Sequence, residues 1–264
     1  MHVKQLFHQA KKDSASYKPV DETTVKLTDD ETKKILQQAL FAKIAKINSE
    51  NYLKAVSADP VYKIPSYHDL YEALTKELVE VHKWTIDEFN HDQIDFLCKY
   101  FSNDEAFEID GFSLDKGLLL FGPTGCGKTT LMNILSKNPF NPYTVISCRK
   151  IADEYSQHGH VAVQHYSTLR QVTKREWFGH EYVGYCFDDL GTEPNKKNYG
   201  NEVNVLADVI LNLYDARDGI GRTHLTSNIS ADDILQNYGE RVASRMREMF
   251  NVIEFSQNAP DRRK

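Results

Sequence analysis

Within residues 117–130 an apolar run breaks into Gly122-Pro123-Thr124-Gly125-Cys126-Gly127-Lys128-Thr129, the G-x-x-x-x-G-K-T spacing of a phosphate-binding loop. Glycines let successive backbone N–H groups turn inward around phosphate oxygens, and a helix that follows adds its positive N-terminal end. Lys128 is placed to reach β- and γ-phosphates, and Thr129 to offer a hydroxyl to a bridging Mg²⁺. With Thr130, which opens the helix, these residues predict a nucleotide-binding loop.

A phosphate loop names a ligand but no reaction, so acidic residues are sought at the end of a later strand. Residues 182–188 form an apolar run that ends in Asp188-Asp189-Leu190-Gly191. Asp188 is expected to hold Mg²⁺ together with Thr129, and Asp189 to polarise the attacking water. A third strand end carries Thr226, Ser227 and Asn228, with Asn228 expected to sense the γ-phosphate or the water. Ser230 and Asp233 then open a helix with a capping pattern.

These residues must stand at the ends of strands. Short apolar runs at 118–121, 143–147, 182–188, 223–227 and 252–255 alternate with helical patterns. Such alternation predicts an α/β fold, a five-stranded parallel sheet flanked by helices. Ahead of it lies a helical N-terminal region. Residues 1–20 read as a mobile arm. Thr28 and Glu31 form a capping box before Ile35, Leu36, Ala39, Leu40, Ile44 and Ile47 at helical spacing. A second helix starts at Ser66, with Tyr67, Leu70, Tyr71, Leu74, Leu78 and Val81 on one face; a third starts at Thr85 and carries Phe89, Leu97 and Phe101. The expected division is therefore 1–105 for the helical region and 106–264 for the nucleotide-binding core.

Among 264 residues, 41% are hydrophobic and 27% charged, enough to bury a full core. No apolar run reaches membrane-span length and the start lacks a secretory core, so a cytoplasmic protein with no membrane association is expected. Cys98, Cys126, Cys148 and Cys186 are too scattered for a zinc or disulfide framework. The net charge of -6 argues against coating duplex DNA by bulk electrostatics, although a local basic groove is compatible with it. Residues 156–179, with His158, His160 and His165, read as an exposed loop followed by a helix. Within them Lys174, Arg175 and Trp177 are candidates to meet single-stranded DNA by charge and stacking.

The three motifs, with Tyr238-Gly-Glu-Arg241-Val-Ala-Ser-Arg245-Met-Arg247-Glu248, resemble the AAA+ ATPases of the DnaC/DnaI helicase-loader and IstB transposition-ATPase branch, over about residues 111–262. The resemblance implies ATP and Mg²⁺ as ligands and a self-oligomer with shared ATP sites. It implies that Arg245 is an arginine finger reaching a neighbour's ATP, with Arg241 its nearest competitor, and that Arg262 or Arg263 contacts the nucleotide of its own subunit. It further implies loading of a replicative helicase onto single-stranded DNA, gripped through the N-terminal region, although helices that merely pack on the core explain the same N-terminal pattern. The sequence stops soon after Arg262, so a core without a C-terminal lid is expected. An IstB-like delivery of target DNA to a transposase and a non-hydrolysing ATP switch are the alternatives. One departure is Asp189, one methylene shorter than the Glu common at that position in AAA+ proteins.

Overall fold

A computed structural model describes residues 23, 25–57, 62–109, 111–198, 201–217 and 219–263. The chain divides into two compact units, Met1–Asp59 and Pro60–Lys264. The expected arm at 1–20 lies outside the described residues. In the first unit, helix α1 (Asp29–Ser57) opens on the expected capping box: Thr28 N donates to Glu31 Oε2 at 2.9 Å and Glu31 N to Thr28 Oγ1 at 3.3 Å.

The second unit starts well before residue 106, because two helices upstream of that point share its core. Helix α2 (Tyr67–Glu80) begins where Ser66 Oγ accepts from Asp69 N, and it ends before Lys83, whose φ of 59° is left-handed. It buries Leu74 and Leu78, whereas Val81, expected on the same face, lies beyond the helix and is exposed. Helix α3 (His91–Phe101) starts six residues later than expected. Residues 85–90 close a turn instead. Asn90 Nδ2 donates to Thr85 O, Asn90 Oδ1 accepts from Asp87 N, and Asp87 Oδ1 accepts from Phe89 N. These local side-chain bonds compete with helical ones, and Phe89 stays outside the helix.

The sheet contains β1 (Gly117–Phe121), β2 (Tyr143–Ser147), β3 (Arg170–Gln171), β4 (Tyr182–Leu190), β7 (His224–Ser227) and β8 (Phe250–Glu254). Its order is β2-β4-β7-β1-β8, parallel throughout, and β3 adds a short antiparallel pairing to β4. The five expected parallel strands are all present. The sixth, β3, is two residues long and carries no apolar signature. Strands β5 (Lys196–Asn198) and β6 (Asn201–Val203) form a separate hairpin.

Period-two alternation sends neighbouring side chains to opposite faces. In β1, Leu118 and Leu120 join Leu78, Leu97 and Phe101 in one core, with Leu131 and Met132 of α4 (Lys128–Ile134). Leu119 joins the other core. There it meets residues of α5 (Cys148–His158), α6 (His160–Tyr166), α7 (Val205–Ala216) and α8 (Ala231–Met249).

One segment of this second face differs from expectation. The segment read as a loop and then a helix is instead the end of α5, then α6, β3 and a 3₁₀ turn at Lys174–Glu176. Gly159, at φ 58°, breaks the two helices apart. Trp177 is buried, with Lys137 Nζ 5.4 Å above its ring, so its indole offers no open stacking face. Helix α8 opens on a complete Ser230–Asp233 capping box and is interrupted at Gly239, where φ is 83° and ψ 163°. Arg241 and Arg245 lie on its second half. Among the described residues no helix is long and apolar enough to cross a membrane, and all four cysteines are buried and free.

Candidate nucleotide site

The loop between β1 and α4 turns through Gly122, Gly125 and Gly127 at φ 153°, 88° and 111°. Side chains there meet steric walls: a Cβ on Gly127 would strike the Trp84 ring, and one on Gly125 the Asp261 carboxylate. Lys128, 4% exposed, folds back along this loop. Its Nζ donates to Gly122 O at 2.8 Å, Pro123 O at 2.9 Å and Asn228 Oδ1 at 2.7 Å. Three acceptors around three N–H donors match the ammonium form, although burial pulls the Lys128 pKa down. Cys126 Sγ lies 3.6 Å from the same nitrogen.

The acidic strand end divides its two carboxylates between two partners. Asp188 Oδ1 accepts from Thr129 Oγ1 at 2.8 Å and from Thr226 Oγ1 at 2.7 Å. Burial pushes the Asp188 carboxyl up, and those two hydroxyl bonds pull against it. Asp189 is turned the other way by a left-handed backbone, φ 59°, which Asp tolerates better than most residues. Its N–H donates to Thr226 Oγ1 at 2.9 Å, and its Oδ1 accepts from Asn228 Nδ2 at 3.0 Å. Asn228 thus bridges Lys128 and Asp189 with its two amide atoms. Thr226 braces both acidic residues from the adjacent strand.

Part of this constellation borders a cleft of about 340 Å³, large enough for a small ligand, with Asp188 and Thr226 standing behind its lining. Thr124, Gly125, Gly127, Lys128, Thr129, Thr130, Asp189 and Asn228 all border it, as do Arg262 and Arg263. Gly122 and Pro123 contribute through their carbonyls to Lys128, while Cys126 is fully buried. Arg262 is held tightly: its Nη2 is 2.7 Å from Asp87 Oδ1, its Nη1 donates to Thr85 O, and its backbone N–H donates to Gly125 O. Arg263 pairs instead with Asp261 on the surface.

Arg245 does not border this cleft. It packs over the Tyr214 ring of α7 at 4.2 Å and pairs with Glu248 at 3.1 Å. Arg241 is exposed, 4.0 Å from Asp215.

Sequence reasoning did not find His82 and Trp84, which also line the cleft, nor Asp87 and Thr85, which hold Arg262. No motif marks them. Thr226, on the same strand end as Asn228, is the brace of the acidic pair. Glu193, close behind that pair, accepts from Gly191 N at 2.9 Å and from the Tyr238 hydroxyl.

Phosphate loop, buried lysine, acidic strand end and polar neighbouring strand define an α/β P-loop protein with the geometry of a nucleotide site. Residues 118–176 match the model of the AAA family, the ATPase family associated with various cellular activities, in agreement with the AAA+ resemblance read from the motifs. No curated protein matches the sequence. Solved structures with a similar fold include the DnaC helicase loader (TM-score 0.41, 16% identity, covering 66% of this chain and 94% of that one) and DnaI (0.43, 18%, 69% and 94%). They also include AMPPCP-bound DnaA from Aquifex aeolicus (0.41, 13%, 68% and 50%).

Proposed function

We propose that this protein is a cytoplasmic DnaC-like ATPase that binds ATP and Mg²⁺, self-associates with ATP sites shared between subunits, and places a replicative helicase on single-stranded DNA. The observation that carries the nucleotide chemistry is the chain of contacts from Lys128 through Asn228 to Asp189, beside the Thr129–Asp188 pair.

In this reading the glycine loop and Thr130 seat the phosphates, and Lys128 exchanges the loop carbonyls for phosphate oxygens as its partners. Thr129 and Asp188 are hard oxygen donors 2.8 Å apart, a donor set that suits Mg²⁺. When bound there, the ion neutralises phosphate charge. Asp189 orients and polarises the attacking water, and Asn228, already bonded to Lys128 and Asp189, reports whether a γ-phosphate is present. Arg262 borders the nucleotide from the subunit's own side.

Arg245 supplies the missing charge to a neighbouring subunit's transferring phosphoryl group, a contribution worth roughly 10³ to 10⁵ in rate in other phosphoryl-transfer systems. Arg245 does not line the subunit's own cleft, which is compatible with a finger acting in trans. The N-terminal region serves as the partner-binding element.

The test is delivery. Purified protein is incubated with a hexameric replicative helicase, ATP and circular single-stranded DNA, and helicase retained on the circles is counted. Retention that depends on ATP and disappears with Lys128→Ala supports the reading. Capture of a transposase in place of a helicase, or delivery indifferent to Lys128→Ala, contradicts it.

A further inference from the structure

The side chain of Arg245 is not left to find its own direction. Among the described residues both of its polar contacts use Nη1, which donates to the Tyr214 hydroxyl at 3.2 Å and to Glu248 Oε1 at 3.1 Å. The guanidinium carbon, Cζ, also lies 4.2 Å from the centroid of the Tyr214 ring. That phenol is itself fixed. Its ring is buried in the core beneath α7 and α8, and its hydroxyl donates to Glu248 Oε2 at 2.6 Å.

A hydroxyl has one proton to give. Because the Tyr214 proton goes to Glu248, an oxygen lone pair is left to accept from Arg245. Tyr214 and the Arg245 hydrogen bond together hold Glu248 below the usual carboxylate range, which keeps the acceptor charged at neutral pH. The three groups form a closed ring of contacts joining α7 to the last turn of α8.

We infer that Tyr214 and Glu248 are positioning residues that preorganise Arg245 for the ATP site of a second copy of this chain. The inference rests on the proposed role of Arg245 as a finger acting in trans. Ring and carboxylate engage one corner of the guanidinium and fix its plane, while Nη2 remains for a phosphoryl oxygen. An arginine so held loses less side-chain freedom when it meets the charge of the transferring group, and its fork is worth most when its plane is already set. Neither Tyr214 nor Glu248 lines the subunit's own cleft.

The experiment separates giving an arginine from holding ATP. An acceptor subunit carrying Arg245→Ala keeps its nucleotide site, and a donor subunit carrying Lys128→Ala offers only its arginine. Donor is titrated into a fixed amount of acceptor, and ATP turnover is followed to its plateau. Adding Tyr214→Phe to the donor keeps the ring and removes the hydroxyl. The expected result is a plateau about tenfold lower, the scale of one lost hydrogen bond to a charged group, with the half-saturating donor concentration and the KM for ATP unchanged.

Glu248→Gln in the donor, a surface change that leaves the fold intact, is expected to lower the plateau in the same direction. Equal plateaus, a rise in plateau with Glu248→Gln, or a change confined to the half-saturating concentration would each overturn the positioning role. If the donor with Tyr214 and Glu248 intact restores no turnover, the reading of Arg245 fails, and that result is distinct from a failure of positioning alone.

Discussion

Asn228 Oδ1 accepts from Lys128 Nζ at 2.7 Å, joining the phosphate-loop lysine to the end of the neighbouring parallel strand. The same amide donates from Nδ2 to Asp189, so one side chain reads both a phosphate-binding cation and a candidate water-orienting carboxylate. Asn228→Ala is therefore expected to leave ATP affinity within a few-fold and to lower kcat by about 10²-fold, the usual cost of removing one preorganised polar contact from a charge-transfer site. Nucleotide titration and turnover measured on the same preparation check the split.

Gly127 carries the loop at φ 111° directly against the Trp84 ring. Gly127→Ala adds both backbone strain and a clash with a buried indole. A destabilisation of about 2 kcal/mol or more is expected, with loss of ATP binding. Thermal unfolding with and without nucleotide reads both effects: the variant should melt lower and lose the ligand-induced rise in Tm.

The Asp87–Arg262 pair joins positions far apart in sequence, and the arginine side chain is only 5% exposed. Asp87→Asn leaves a buried guanidinium without its counter-charge. With Asp87 itself partly solvated, the expected cost is about 2 kcal/mol in urea unfolding, below the full penalty for a wholly buried pair. Asp215→Asn, which breaks the exposed contact to Arg241, should change stability by no more than about 0.5 kcal/mol.

His224 is fully buried beneath Tyr143, and its Nδ1 accepts from Leu118 N, so the ring is held neutral. Burial lowers its pKa to about 3. The unfolded chain takes up this proton near pH 6.5 and the folded chain does not, so stability is fully present above that pH and falls as pH drops towards 3. The expected slope approaches about 1.4 kcal/mol per pH unit below 6. Urea unfolding of the wild type and His224→Gln between pH 7.5 and 5 measures the difference in slope. Subtraction cancels the opposing contribution of Asp188, whose raised carboxyl takes up protons in the folded state.

Much of this site is legible in sequence because its chemistry is local. Gly122 to Thr130 are contiguous, and Asp188, Asp189 and Asn228 each end an apolar run that must become a strand. What the sequence conceals is long-range or conditional. Nothing near Trp84 announces that it will stand against Gly127, and Asp87 meets Arg262 only once both termini of the unit converge on the loop. Helices α2 and α3 show their apolar spacing plainly, but spacing does not say which core receives them. Leu78 and Leu97 pack with β1, and this carries the compact unit back to Pro60. Trp177 looks like an exposed stacking residue in a basic run and is instead buried. Composition does not distinguish the two.

A complete ATP site is expected to need two copies of this chain, and mixing two inactive variants reads that dependence. Lys128→Ala lacks a working nucleotide loop and Arg245→Ala lacks a finger. Each alone is expected to be inactive, and an equimolar mixture at raised protein concentration is expected to recover ATP turnover as sites form with Lys128 from one subunit and Arg245 from the other. A mixture that hydrolyses no more ATP than its separate parts, beside a wild type whose turnover per subunit does not change with concentration, would show that each copy carries a complete site.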